Sequence, residues 1–260
     1  MASYPSSWRP SPHDLRLFHN DVHVWRAELN HSTGTAQSFV PLLAPDERSR
    51  AEKFHFQKDR DRFIIARAFL RVILSRYLQL RPDQLRFCYG PYGKPSLIGI
   101  EGEQAVRFNV SHSHDLALYA IARGREVGVD VEYMREDFAS EKIAEHFFSR
   151  GEVDALRELP ANRRTEAFFN CWTRKEAYIK GTGVGLSLPL GQFDVSLVPG
   201  EAAALLSVRE NIPGASNWSL RELIPGPSYA AAIAIEGSNC RLSCWRLDAQ
   251  HVKLEVADQL

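Results

Sequence analysis

The sequence predicts an α+β protein made of two similar α/β lobes, related by a pseudo-twofold and facing each other across a cleft. Three observations predict it. Two long stretches, Asp59 to Leu78 and Thr165 to Lys180, carry apolar residues at helical spacing. Around them lie short runs with strand periodicity, punctuated by Gly, Pro, Ser and Asn. Each half also repeats one order: an acid-led short helix, a long amphipathic helix, then strands, as Pro45 to Leu78 and Ser149 to Lys180 illustrate. At 260 residues the chain has room for two such lobes. The division is a tail at 1–14, an N-terminal lobe at 15–125, a C-terminal lobe at 126–250 and a tail at 251–260. A cleft between lobes is the expected place for a ligand.

Taken in order, Val22 to Ala27 alternates and reads as the first strand, and His31 to Gly34 as a turn. Pro45-Asp46-Glu47 opens a helix with its acids in the first turn, where the macrodipole favours them. In Asp59 to Leu78 an apolar stripe runs through Phe63, Ala66, Ile73 and Tyr77, with Arg62, Arg67, Arg71 and Arg76 along its edges. Pro82 breaks the chain, Leu85 to Tyr89 is a strand, and Gly90 to Pro95 a loop stiffened by two glycines and two prolines. Val106 to His112, Leu116 to Ala122 and Glu126 to Glu132 are strands. Helices follow at Ser140 to Phe148, Gly151 to Leu159 and, after a break at Pro160-Ala161-Asn162, Thr165 to Lys180. Gly181, Gly183 and Gly185 end the last helix. Strands close the chain at Phe193 to Leu197, Ala203 to Glu210, Trp218 to Leu223, Tyr229 to Glu236 and Leu242 to Leu247.

Composition excludes several classes. Lys plus Arg and Asp plus Glu both number 32, so no global field draws in nucleic acid or an anionic membrane, and an anionic ligand needs a local cluster. Cys88, Cys171, Cys240 and Cys244 have no zinc-type spacing and read as reduced thiols. With no secretory pattern at the N-terminus and no long apolar run, the expectation is a soluble, cytoplasmic protein.

Two stretches concentrate chemistry. In Gly128-Val129-Asp130-Val131-Glu132, strand alternation sends both carboxylates to one face. In Trp172-Thr173-Arg174-Lys175-Glu176-Ala177-Tyr178-Ile179-Lys180, helical spacing puts Trp172, Lys175, Glu176, Ile179 and Lys180 on one face. Taken singly, each has a plain reading: solvated acids, and a helix salt bridge beside a buried Trp. Together, Asp130, Glu132 and Glu176 form an all-oxygen set suited to a hard ion, Mg²⁺ or else Mn²⁺, with room for phosphate oxygens. Ser111-His112 at a strand end suits phosphate contacts better than zinc, because no third ligand lies at the right spacing. Lys94 reads as a phosphate contact or a surface lysine, and Arg62 as an anion clamp or part of a solvated stripe. Gly181-Thr182-Gly183-Val184-Gly185 follows a helix instead of preceding one, so it is no phosphate-binding loop. A Mg²⁺-dependent phosphodiesterase or pyrophosphatase is the alternative these carboxylates leave open.

From about Pro45 to Val195 the chain resembles the 4'-phosphopantetheinyl transferase superfamily, in its larger, two-lobed, Sfp-like branch. The residues that carry the resemblance begin with Lys53-Phe54-His55-Phe56 ahead of Asp59 and Arg62, Tyr92-Gly93-Lys94-Pro95, and Phe108-Asn109-Val110-Ser111-His112. They continue with Gly128 to Glu132, His146 to Ser149, Trp172 to Lys180 and Gly185 to Pro189. The resemblance implies transfer of the phosphopantetheine arm of coenzyme A to a serine of an apo acyl or peptidyl carrier protein, releasing adenosine 3',5'-bisphosphate. It implies Mg²⁺ on Asp130, Glu132 and Glu176, with Glu176 and Lys180 catalytic. Coenzyme A would be bound by Arg62, Lys94, Pro95, Ser111, His112, Lys175 and Lys180. It further implies a monomer whose carrier docks near Phe147–Arg150 and Phe168–Trp172.

Overall fold

The computed structural model describes residues 8–100, 102, 105–209, 217–250 and 252. The two end segments expected as tails lie outside these at 1–7 and almost throughout 251–260, as does Glu210 of the expected strand. The first lobe runs β1 (Arg9–Pro10), β2 (Asp21–Glu28), α1 (Thr33–Phe39), α2 (Pro45–Glu52), α3 (Gln57–Leu78), the hairpin β3 (Phe87–Tyr89) and β4 (Pro95–Leu97), then β5 (Val106–Ser113) and β6 (Leu116–Arg123). The second runs β7 (Val127–Tyr133), α4 (Glu141–Phe147), α5 (Arg150–Glu158), α6 (Ala161–Thr182), the hairpin β8 (Phe193–Val195) and β9 (Leu205–Val208), then β10 (Trp218–Leu223) and β11 (Tyr229–Glu236). A last strand, β12 (Arg241–Leu247), follows.

Set β1 and β12 aside, and both lobes have one plan: a strand, three helices, a short hairpin and two strands. The sheets agree, in the orders β2-β6-β5 and β7-β11-β10. So do details of packing. The third residue of α2, Glu47, is buried against Arg71, the fifteenth residue of the 22-residue α3. The third residue of α5, Glu152, is buried against Lys175, the fifteenth residue of the 22-residue α6. Each carboxylate also accepts the backbone N–H at its helix's N-cap, Ala44 at 2.8 Å and Ser149 at 2.8 Å. This explains why each half has an acid-led short helix before a long one: the acid is a bolt between them, and burying it unpaired would be costly.

The layers are helix, sheet, sheet, helix. Trp25, Ala117, Tyr119 and Ile121 pack with α3 on one side of the first sheet. Val22, Val24, Leu118 and Ala120 on its other side meet Val127, Val129 and Val131 of the second sheet. Ala230, Ala232 and Ala234 face α6. Strand alternation therefore turns Asp130 and Glu132 away from the valine layer, toward α6. β12, which the sequence division places in the second lobe, instead pairs in parallel with β2 of the first sheet. β1, within the expected N-terminal tail, lines up beside β12.

Three local expectations change. The turn at His31–Gly34 leads into α1, capped by Ser32, which accepts from the Thr35 N–H. Its composition of Thr, Gly, Ser and Gln is weakly helical, and the burial of Ala36 and Phe39 holds it. α6 begins at Ala161, directly after Pro160 at the N-cap, and passes through Gly181 to stop at Gly183, whose φ of 72° is the left-handed cap. β4 forms in the segment beginning at Pro95, where the loop was expected to leave only a turn.

β5 and β7 are edge strands of different sheets, and they meet through side chains. The N–H groups of Val129, Val131 and Tyr133 donate to Asn109 Oδ1 at 2.9 Å, Ser111 Oγ at 3.3 Å and Ser113 Oγ at 3.0 Å. On its other side β7 is crossed by α6 at Gly128, where a Cβ would sit 2.1 Å from both the Ala177 carbonyl oxygen and the Gly181 nitrogen. Both obstacles are backbone, so no rotamer change relieves them. Gly128→Ala is expected to cost at least about 3 kcal/mol of stability, read as a lower urea midpoint or a failure to fold.

Candidate active site

β5, β7 and α6 converge on Asp130. Its side chain is 2 % exposed, and Oδ1 accepts from Lys180 Nζ at 2.5 Å and from Ser111 Oγ at 2.8 Å. Oδ2 is buried with no hydrogen-bond partner among the described residues. Glu132, two residues along the same strand face, accepts from Ser113 Oγ at 2.8 Å. Glu176, four residues before Lys180 on α6, makes no hydrogen bond among the described residues.

The charges interact. Burial, and then the Asp130 charge, raise the pKa of both Glu132 and Glu176 above the ordinary carboxylate value. Burial would depress Lys180, but the charge and hydrogen bond of Asp130, with Glu176 and Glu132 behind them, keep its ammonium above the ordinary lysine value. His112 lies on the opposite face of β5 from Ser111. Desolvation, then the charges of Lys180 and Arg62, lower its pKa below the ordinary imidazole value.

The donor chemistry suits a hard divalent ion: carboxylate oxygens in partial burial, one of them an orphan. Among the described residues no three His, Cys, Asp or Glu side chains are grouped to hold an ion, so Asp130, Glu132 and Glu176 are not gathered as the three-ligand set expected from the sequence. Mg²⁺ commonly takes one or two carboxylates and completes its shell with water and substrate phosphates, so Asp130 and Glu132 would be enough protein ligands for it.

Comparison with known proteins decides the family. Residues 126–234 match the model described as the 4'-phosphopantetheinyl transferase superfamily, and residues 25–123 the one described as 4'-phosphopantetheinyl transferase, N-terminal. The 4'-phosphopantetheinyl transferase HetI of Nostoc sp. is 38 % identical over 92 % of this chain and 98 % of its own. The chain belongs to the 4'-phosphopantetheinyl transferase superfamily. The 4'-phosphopantetheinyl transferase Sfp of Bacillus subtilis is 32 % identical over 62 % of this chain and 69 % of its own. The L-aminoadipate-semialdehyde dehydrogenase-phosphopantetheinyl transferase of Xenopus laevis is 28 % identical over 74 % and 68 %. These relatives are transferases, and the phosphodiesterase or pyrophosphatase alternative finds no support among them.

Within this transferase the expected site residues divide. Asp130, Glu132, Glu176, Lys180 and Ser111 gather along the β5–β7 seam, and His112, on the other face of β5, is near enough for the charges of Lys180 and Asp130 to act on its ring. Lys94 stands at the far end of β7, donating to Glu126 at 2.7 Å and to the Gly181 carbonyl at 2.7 Å. There a cavity of about 210 Å³ is lined by Lys94, Pro95, Arg107, Glu126 and Gly183, among others. Arg62 is paired with Asp115 in a close ion pair and with Asp59 at 3.7 Å. Glu126 and Arg107 were not expected from the sequence, where nothing distinguishes them from surface charges.

Two expectations are corrected. Lys175 is no coenzyme A ligand: it is fully buried, and its ammonium donates to Leu190 O at 2.7 Å and Phe193 O at 2.5 Å and pairs with Glu152 at 2.8 Å. Three donors on three internal acceptors leave none for a ligand. Helical spacing grouped it with Glu176, but adjacent helix residues diverge by 100°, and here one enters the core while the next faces the seam. Ser111 is likewise buried, its one proton on Asp130 and its lone pairs facing Val131 N–H and Lys180. It orients the acid and has no proton left to give a phosphate.

Lys175→Met is expected to lose roughly 3–5 kcal/mol, because it strands the Glu152 charge in the core. A urea melt measures this, with KM for coenzyme A unchanged in the folded fraction. Glu176→Gln tests the other sign. A carboxylate whose pKa rises on folding costs stability as pH climbs above its ordinary value of 4.5, and the cost is complete above the folded value. In metal-free buffer at pH 7, Glu176→Gln should therefore melt above the parent, with the gap closing as pH falls toward 4.5.

Proposed function

We propose that Asp130, Glu132, Glu176 and Lys180 form the catalytic centre of a Mg²⁺-dependent 4'-phosphopantetheinyl transferase. The reaction moves the phosphopantetheine arm of coenzyme A onto a serine hydroxyl of an apo acyl or peptidyl carrier protein and releases adenosine 3',5'-bisphosphate. The observation that carries this reading is Asp130, a buried carboxylate with one oxygen on Lys180 and the other unpartnered. Asp130 and Glu132 would hold the ion with pyrophosphate oxygens, and Glu176 adjoins them. When bound, the ion neutralises the pyrophosphate and polarises its bridging bond.

The chain's own residues supply the rest. The carrier serine oxygen bonds to the pantetheine-side phosphorus, the pyrophosphate P–O bond breaks, and the nucleotide leaves with the electron pair. Glu176 takes the serine proton, directly or through water; burial and then the Asp130 charge raise its pKa above the ordinary carboxylate value, which makes it a stronger base than a solvated carboxylate. Lys180 faces the charge that develops on the phosphate oxygens. Lys94, Pro95, His112 and Arg62 hold the nucleotide end. For the carrier we favour Phe147, 37 % exposed and edge-on to Trp172 at 5.5 Å, one helical turn before Glu176. Phe168, in the same expected stretch, is buried.

We further propose a cytoplasmic monomer, because the strands and helix that gather the site residues, β5, β7 and α6, come from one chain and all four cysteines are free. No described helix is long and apolar enough to cross a membrane.

Intact mass of an apo carrier, incubated with the enzyme, coenzyme A and Mg²⁺, is expected to rise by one phosphopantetheine, and EDTA to abolish the gain. Asp130→Ala and Glu176→Ala are each expected to slow turnover by about two orders of magnitude or more, with the fold intact by circular dichroism. Near-parental rates in either variant would remove that residue from the centre.

A further inference from the structure

We propose that Ser113 is a positioning residue for Glu132, holding its carboxylate toward the divalent ion. The inference rests on the metal reading given above. Ser113 Oγ accepts the Tyr133 N–H at 3.0 Å and donates to Glu132 Oε2 at 2.8 Å. The backbone bond settles where the hydroxyl proton points, because the serine oxygen has one proton and its acceptor side is engaged. That proton then fixes one oxygen of Glu132 and leaves Oε1 with no hydrogen bond among the described residues.

The same device occurs one step earlier on the strand. Ser111 accepts the Val131 N–H and donates to Asp130, the residue just before. Two serines at strand period thus serve two acids at strand period, each serine bonded to the N–H that follows its acid. Asp130 has further fixing from Lys180 at 2.5 Å. Glu132 has a longer side chain with one more rotatable bond, and Ser113 is its hydrogen-bond partner among the described residues. Its orientation therefore depends on Ser113 more than that of Asp130 depends on Ser111. Ser113 also immediately precedes His114, whose φ of 50° turns the chain toward β6. The hydroxyl thus sits on a strand end fixed by a tight turn.

The test uses the full chain with Ser113→Ala and Ser113→Thr, the second keeping the hydroxyl. Mn²⁺ binding is read by electron paramagnetic resonance with and without coenzyme A, and the rise in Tm on adding Mg²⁺ is read separately. Loss of a hydrogen bond that orients a metal ligand typically weakens metal binding by about 10-fold or more. Ser113→Ala should show that loss and a smaller Mg²⁺-induced rise, while Ser113→Thr stays within about threefold of the parent. In EDTA the Tm values should agree closely. Should alanine destabilise the chain, Ser113→Cys keeps the volume and loses the strong donor, giving the same comparison. Parental Mn²⁺ affinity in both the alanine and cysteine variants overturns the positioning role while leaving the metal site in place. A parent that binds no Mn²⁺ under either condition overturns the metal reading, and this inference with it.

Discussion

The seam between β5 and β7 is the constraint on which the site depends. An edge strand presents unpaired N–H groups that must find partners, and β7 finds them on the side chains of Asn109, Ser111 and Ser113. The donor is 20 residues beyond the acceptor in each case, so the two strands run in parallel and in strict register. A main-chain ladder would have merged the two sheets into one. A side-chain ladder joins them while leaving hydroxyl protons on the α6 side of the seam, where Asp130 and Glu132 receive them. One arrangement therefore docks the lobes, satisfies the edge and aims the acids. Gly128 completes it, since only a residue without Cβ lets α6 pass close enough for Lys180 to reach Asp130.

Much of this was legible in the residues. The two 22-residue helices stood out because their apolar periodicity is long, and long patterns leave least ambiguity. The acidic pair on one strand face followed from alternation alone. α1 and β4 were not legible, because short elements held by burial leave little local signal. The pairing of β12 with β2 was hidden for another reason: it joins residues more than two hundred positions apart, and no window spans them. Lys175 misled because sequence proximity to Glu176 stood in for direction in space. The Asn-x-Ser-x-Ser alternation of β5 was a signal available and unused. Polar residues at period two, opposite Val106, Phe108 and Val110, mark a strand face that must bond to something other than solvent.

The pseudo-twofold bears on how the chemistry came to be one-sided. Glu47–Arg71 and Glu152–Lys175 occupy matching positions and do matching work, so the duplicated plan persists where it supports packing. It does not persist at the residues of the cleft. The position in α3 that matches Glu176 is Val72, buried in the first core. A carboxylate there would be buried without partners and would destabilise that lobe. The first lobe has thus kept the scaffold and carries an apolar residue where the second carries charge, which is what a single cleft per chain requires.

Charge balance within the cleft follows the same logic. The formal net charge is zero, yet the proposed ligand is polyanionic. Each cation expected to meet it is already matched by an acid: Lys180 by Asp130, Lys94 by Glu126, Arg62 by Asp115. These pairs hold long, flexible side chains in place before any ligand arrives, which lowers the ordering cost of binding. An incoming phosphate then replaces one acceptor with another and need not organise the donor. The exchange is least complete at Asp130, whose carboxylate is buried and hydrogen-bonded and cannot swing into solvent. There the proposed divalent ion would let acid and phosphate remain side by side, since two anions sharing one site repel unless a cation lies between them. Where the acids are exposed enough to turn aside, as at Glu126 and Asp115, the chain needs no such ion.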